Sequence, residues 1–490
     1  MRRNIFLFFL LLTCSAVSLA ADKVERPRLV VGIVVDQMRW DYLYRYYDKF
    51  VDGGLKRLLN EGYSCDNTHY NYVPTVTAAG HASVYTGTTP AIHGIAGNNY
   101  HINGHSVYCV SDTTVQGVGS QGKAGQMSPR NMRVTNIGDQ LRLATDFRSR
   151  VIGVALKDRA SILPAGHTAN AAYWFDTSIG GFITSTYYMK ELPQWVKNFN
   201  RDNKVAEKEN VRIKPKGLQL TTKMALAALN NERLGRQDDV CDMLCISYSS
   251  TDLVGHEYGT RGEKTDEIYL ALDKELRLLF EALDSRIGKG KYLVFLTADH
   301  AGAHNAKFLN DNKLPGGQVP YFGKLKRMLN ETLAPRMGGV NVVDDVMNEQ
   351  IYLDYKAIEK AGLKACEVKQ AVCAEMMKMP NIHYAVAVSD VMTAPIPAAI
   401  RDRIVMGNCP GRSGDIEIIP APHYYDYRYD HGSSHSHWNP YDTHVPFLMM
   451  GWHVEHGATN KPVSITDVAA TICAMLKIQM PSGCVGNPVF

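Results

Sequence analysis

Leu29 to Val35, Val151 to Leu156, Met243 to Tyr248, Tyr292 to Thr297 and Val445 to Met450 are short runs, almost wholly apolar, with polar residues or a glycine at or just past their ends. Runs of this length without alternation predict strands covered on both faces, as in a parallel sheet. Between them, Asp266 to Ile287 carries Ile268, Leu270, Leu272, Leu276, Leu279, Phe280 and Leu283 at helical spacing, and Ile465 to Ile478 repeats the pattern near the C-terminal end. The alternation predicts an α/β fold with a mainly parallel central sheet flanked by helices.

Such sheets bind ligands beyond the C-terminal ends of their strands. Asp36, Lys157, Asp252, Asp299 and His300 all fall at or just past those ends. They are far apart in sequence, so the fold itself would gather them along one rim.

The rhythm stops at residue 301. From there to 430 the chain carries Gly316-Gly317, Gly338-Gly339, several prolines and a helical pattern over Tyr355 to Met377. This stretch is expected to form an inserted cap subdomain near the rim, with 21–300 and 431–490 as the catalytic core. A chain of 490 residues exceeds one simple core, which agrees with an insertion. Residues 100–140 read as a long excursion rich in glycine and serine.

The N-terminus has a different pattern. Arg2 and Arg3 precede an apolar run, Phe6 to Leu12, too short to span a bilayer, and Ser18-Leu19-Ala20 offers small residues for cleavage. This order predicts a signal peptide over residues 1–20 and a periplasmic or secreted protein. A lipoprotein through Cys14 ranks second, because Thr13 is a poor residue before such a cysteine. No later segment has the length and apolarity of a transmembrane helix. Nine cysteines would remain after cleavage. Cys241 and Cys245 are expected in a buried strand and Cys473 in a helix, while Cys409 and Cys484 fall in loops where a bridge is possible. The formal charge of +4 excludes a nucleic-acid footprint, and no basic stripe interleaves with aromatics.

The polar residues on the rim have metal chemistry. Asp252 and His256, four apart, share one face of a helix. Asp299 and His300 are adjacent at a strand end, Asp36 follows another strand, and His431, His435 and His437 crowd one short stretch. Carboxylates and imidazoles together suit Zn²⁺, and six such ligands make two sites of three, each with a position open for substrate. Singly, each also has a bland reading: a surface pair, or an Asp capping a turn. A nucleophile candidate lies in Pro74-Thr75-Val76-Thr77-Ala78-Ala79-Gly80-His81. A hydroxyl at a helix start followed by small residues lets phosphate oxygens reach backbone N–H groups. Chemistry alone does not separate Thr75 from Thr77.

Asp36, the run Val73 to His81, Tyr85-Thr86-Gly87, His93 to Asn99, Lys157-Asp158-Arg159, Asp252 with His256, Asp299-His300 and Tyr441 to Pro446 occur in an order that resembles the phosphate-irrepressible alkaline phosphatases, the PafA type, of the alkaline phosphatase and nucleotide pyrophosphatase/phosphodiesterase superfamily. The resemblance runs from Asp36 to the terminal helix. It implies a phosphomonoester hydrolase with two zinc ions and a phosphothreonine intermediate on Thr77. Asp36, Asp299 and His300 would hold the ion that activates Thr77. Asp252, His256 and His435 would hold the ion at the leaving group. Asn98, Lys157 and Arg159 would contact the free phosphoryl oxygens. The chain departs from the family pattern at the last ligand, where His-Gly is usual. His435 has the right spacing to Tyr441 but precedes Ser436; His431 precedes Gly432 but lies too far from Tyr441. Spacing favours His435, with His431 and His437 as alternatives.

Three other readings have less support. A phosphodiesterase of the same superfamily would give Lys157 and Arg159 less charge to neutralise. A sulfatase needs a Cys-x-Pro-x-Arg motif that is absent at the nucleophile. A non-catalytic protein that binds phosphate-bearing ligands on the same fold would have lost a ligand or the nucleophile, and every expected position is filled.

Overall fold

The computed structural model describes residues 24–206, 209–237, 239–319, 322–426 and 431–490. The leader expected over 1–20, with Cys14, lies outside them. Five strands run parallel at the centre, in the spatial order Tyr292–Thr297, Leu29–Val35, Asp242–Tyr248, Val151–Ala155 and Ala171–Asp176. Antiparallel strands extend this sheet on both sides, to ten strands in all among the described residues.

Every residue of Leu29–Val35 is buried, and the same holds for Asp242–Tyr248 and Tyr292–Thr297. Successive side chains of a strand point to opposite faces, so burial at each position means both faces are covered. That is why these strands read as unbroken apolar runs. Burying each Leu, Ile, Val or Phe contributes about 1.5–3 kcal/mol before entropy is counted. Gly32 shows how closely one cover lies: a Cβ there would meet the Tyr85 hydroxyl at 2.4 Å and the Phe295 ring at 2.5 Å. Tyr85 belongs to the helix Thr77–Thr86, which therefore packs directly on the sheet.

The register aligns the strand ends. Val35 pairs with Tyr248, Val34 with Thr297, and Ser247 with Ala155. The chain leaves each of these strands on the same edge, so Asp36, Lys157, Asp252 and Asp299 emerge side by side.

The structure departs from the sequence reading at three places. Val445 to Met450 is not one parallel strand. Phe447–Gly451 pairs antiparallel with Tyr292–Thr297, while His444–Val445 pairs with Thr68–His69 in a separate small sheet. Pro446 lies between them and has no N–H for a ladder bond. The pattern over Tyr355 to Met377 is not one helix but two, Tyr355–Lys360 and Ala365–Met376, with Gly362 between them at φ +69. A left-handed residue ends a helix, and glycine takes that conformation without a steric penalty. Cys241 sits just before its strand, and all nine cysteines among the described residues are unbridged, Cys409 and Cys484 included.

Within the stretch after residue 301, an antiparallel sheet forms from Val343–Met347, Gln350–Leu353, Ile416–Pro420 and Ile382–Ala387. It has its own apolar cluster, including Leu329, Ile351, Val372 and Ile416. No helix of the described residues is long and apolar enough to cross a membrane.

Candidate functional site

Helix geometry and strand ends bring two overlapping groups of metal-ligating atoms together. Asp252, His256 and His435 form one; Asp36, Asp252 and His300 form the other. Asp252 and His256 lie one turn apart on the helix Ser250–Tyr258, with His256 Nε2 3.2 Å from Asp252 Oδ1. His435 Nε2 is 3.8 Å from the same oxygen. His300 Nε2 stands 3.6 Å from both Asp36 Oδ1 and Asp299 Oδ2. Asp299 was expected in the second group; it borders that group through His300.

The three histidines share one arrangement. His256 Nδ1 meets the Ser433 carbonyl at 2.8 Å, His300 Nδ1 the Ala301 carbonyl at 2.9 Å, and His435 Nδ1 the Thr75 carbonyl at 2.7 Å. A carbonyl only accepts, so each Nδ1 carries a proton and each Nε2 is the ring nitrogen on the side of the carboxylates. This orientation by an outer hydrogen bond is the usual setting of a metal-ligating imidazole. His437 is buried but outside both groups, and His431 is exposed and also outside them.

The electrostatics call for cations. Asp36, Asp252 and Asp299 are all buried within this one space. Burial, with Asp252 and Asp299 alongside, pushes the Asp36 carboxyl well above its usual range. Burial also works against Asp252 and Asp299, yet His256 and Lys157 hold the first low, and His300 and His81 the second. Burial together with His300 and His256 depresses His435 into the neutral, ligating form. Asp36 Oδ1, Asp299 Oδ2 and His300 Nε2 are buried without any hydrogen-bond partner. Orphaned acceptors of this kind cost about 1–3 kcal/mol each, and more when charged. Divalent cations would satisfy all three atoms, so the donor set fits metal binding.

Thr77 opens the helix Thr77–Thr86, and its Oγ1 is 3.3 Å from Lys157 Nζ. Thr75 Oγ1 donates instead to the His437 carbonyl, so its hydroxyl is committed elsewhere. Gly80, one turn on, has the Asp299 carbonyl 2.0 Å from where a Cβ would sit. Only glycine lets this helix approach that strand end. Asn98 Oδ1 accepts from the Ala78 N–H at 3.0 Å, which fixes the side-chain amide at the start of the Thr77 helix. Lys157 precedes the helix Asp158–Ala165, and its Nζ lies 2.6 Å from both Asp36 Oδ2 and Asp252 Oδ2. The ammonium thus sits among the carboxylates rather than free of them, since these are the nearest opposite charges. Arg159 donates to the Tyr108 hydroxyl at 3.0 Å, which in turn donates to Asp158 at 2.5 Å.

Sequence reading gave no role to Gln37, His81 or Tyr108. His81 bridges the Thr77 carbonyl and Ser247, with Asp299 Oδ2 3.3 Å away. Tyr108 comes from the hairpin Asn99–Ile102 with His105–Tyr108, inside the glycine-rich excursion. These are tertiary contacts that no local spacing announces.

A site with this charge should depend on cations for its stability. Chelation should lower the melting temperature, and zinc at about a hundred times its dissociation constant should restore roughly 2.7 kcal/mol. A melting curve indifferent to chelator and to zinc would contradict the fit.

The type I phosphodiesterase / nucleotide pyrophosphatase family matches over residues 30–449. Alkaline phosphatase PafA from Elizabethkingia meningoseptica is 43% identical, over 96% of this chain and 95% of that one. Alkaline phosphatase PhoV from Synechococcus elongatus is 41% identical, over 96% and 94%. A crystal structure of wild-type alkaline phosphatase PafA is similar with a TM-score of 0.92 at 43% identity, covering 95% of this chain and 99% of that chain. With family, sequence and fold in agreement over nearly its whole length, the chain belongs to the type I phosphodiesterase / nucleotide pyrophosphatase family and, within it, to the PafA-type alkaline phosphatases.

Proposed function

We propose that this alkaline phosphatase is an exported two-zinc enzyme that hydrolyses phosphomonoesters through a phosphothreonine on Thr77. The observation that carries the reading is the convergence of three Nε2 atoms and three buried carboxylates beside the Thr77 helix start. Asp36, Asp299 and His300 would hold one ion, and Asp252, His256 and His435 the other. Bound there, two zinc ions would supply Lewis-acid stabilisation to the attacking and leaving oxygens of an in-line displacement.

The protein's own groups do the rest. The Thr77 helix directs unpaired backbone N–H groups at the incoming phosphoryl group. Asn98, fixed by Ala78, donates its amide to a free phosphoryl oxygen. Arg159, held by Tyr108, supplies a second, charged donor. Lys157 supplies a third: once cations neutralise Asp36 and Asp252, its flexible stem lets the ammonium turn to the substrate. His435 rather than His431 or His437 is taken as the last ligand, since it alone of the three joins a ligand group among the described residues. Residues 301–430 are read as an inserted cap over a core of 21–300 and 431–490, supported by the separate sheet and cluster. The leader at 1–20 is read as cleaved, giving a periplasmic or secreted protein.

Thr77→Ala should abolish the phosphoenzyme trapped by acid quench, while Thr75→Ala should still form it. The reverse result would move the nucleophile to Thr75.

Substrate class is tested by charge. A monoester dianion offers free oxygens to both Lys157 and Arg159; a diester replaces one by an ester group. Charged hydrogen bonds contribute about 1.5–3 kcal/mol each. Lys157→Ala/Arg159→Ala should therefore lower kcat/KM for an aryl phosphate roughly tenfold to several thousandfold, and for its methyl ester much less. Equal losses on both would reduce the pair to a shaping role, and a wild-type preference for the ester would place the chain among the diesterases.

A further inference from the structure

Gln37 follows Asp36 directly and is almost fully buried, with φ at +62. A left-handed backbone at a residue other than glycine is strained and persists where surrounding contacts impose it. The contacts here reach both ligand groups. The Gln37 backbone N–H donates to Asp299 Oδ1 at 3.1 Å. The His300 N–H donates to the same oxygen at 3.0 Å, so Oδ2 is the Asp299 atom left facing His300. The Gln37 side-chain Nε2 donates to Asp252 Oδ1 at 2.9 Å. That oxygen is the one closest to His256 Nε2 and His435 Nε2.

The surroundings are shaped to the side chain. A Cβ on Gly255 would fall 1.8 Å from Gln37 Oε1, and one on Gly302 would fall 3.1 Å from Gln37 Cδ. The amide is held between the Asp252 helix and the segment after His300, and the Tyr269 hydroxyl donates to the Gln37 carbonyl at 3.3 Å. A neutral donor suits this place. It fixes a carboxylate's orientation without cancelling its charge, whereas a lysine or arginine would compete with a metal for it.

We propose that Gln37 is a positioning residue that ties the two metal-ligand groups together, its backbone amide setting Asp299 and its side-chain amide setting Asp252. This rests on the two-zinc reading of the site. The arrangement has an asymmetric consequence. Any substitution other than proline keeps the backbone N–H to Asp299, but a neutral side chain donates to Asp252 from here only as an amide of this length. With Asp252 assigned to the ion shared by His256 and His435, as proposed above, losing the side chain should weaken that ion more than the one at Asp36, Asp299 and His300.

The test uses Gln37→Met, which keeps the volume, and Gln37→Gly, which takes a φ of +62 freely and guards against misfolding of the first. The two dissociation constants for Zn²⁺ alone are measured by chelator competition, with the melting temperature of each metal-free protein alongside. Wild type should hold two ions. The variants should keep one at near wild-type affinity and lose roughly 10- to 100-fold on the other, as for outer hydrogen bonds to ligands in general. Metal-free melting should stay within a few degrees of wild type. Two ions at unchanged affinity would overturn the proposal. So would equal weakening of both ions together with a large fall in metal-free melting, which would make Gln37 a packing residue. Fewer than two ions on wild type would overturn the two-zinc reading itself, and is read without any variant.

Discussion

Three carboxylates share one desolvated space at the rim of the sheet, and Lys157 is the Lys or Arg side chain that pairs with two of them among the described residues. Removing an ion from water costs several kcal/mol even after relaxation. One ammonium does not balance three such groups. The tension is visible in Asp36, whose carboxyl is driven toward the protonated form, and in the orphaned atoms Asp36 Oδ1, Asp299 Oδ2 and His300 Nε2. Much of the surrounding architecture makes sense as a way of holding this unfavourable cluster open for cations and an anionic substrate. The sheet sets the carboxylates side by side, backbone carbonyls turn three imidazoles inward, and Gly80 lets the helix Thr77–Thr86 approach Asp299.

The central strands were legible because burial on both faces leaves an unbroken apolar signature. The rim was legible because polar residues at strand ends stand out against it. Asp252 with His256 was legible as a helical pair. Other features were set by contacts between distant segments. Pro446 splits one apolar run into two pairings, one of them antiparallel, and nothing in the run's hydrophobicity distinguishes that from a parallel strand. Gly362 breaks a pattern whose periodicity continues on both sides. The expected ligands and their order along the chain came from family resemblance, but the overlap of the two groups through Asp252 did not, because it depends on side-chain geometry.

Three of the residues that sequence reading passed over touch residues that it singled out. Gln37 holds Asp252 and Asp299, His81 lies between the Thr77 carbonyl and Asp299, and Tyr108 holds Arg159. A glutamine after an aspartate, a histidine within a helix and a tyrosine in a hairpin have no local signature of such roles. Their significance appears only when the rim is assembled. The position of Lys157 is a related case. Its place at a strand end was evident, but its lodging between Asp36 and Asp252 means that it draws on the same negative charge the proposed metal ions would use.

That competition makes the central claim open to direct measurement. Crystals grown with zinc should show two peaks in an anomalous difference map at the zinc absorption edge. One should lie among Asp36, Asp299 and His300, the other among Asp252, His256 and His435, each at roughly 2.0–2.2 Å from its ligands, with the Lys157 ammonium displaced from both carboxylates. A map without peaks at these residues, with Lys157 still bridging Asp36 and Asp252, would contradict it.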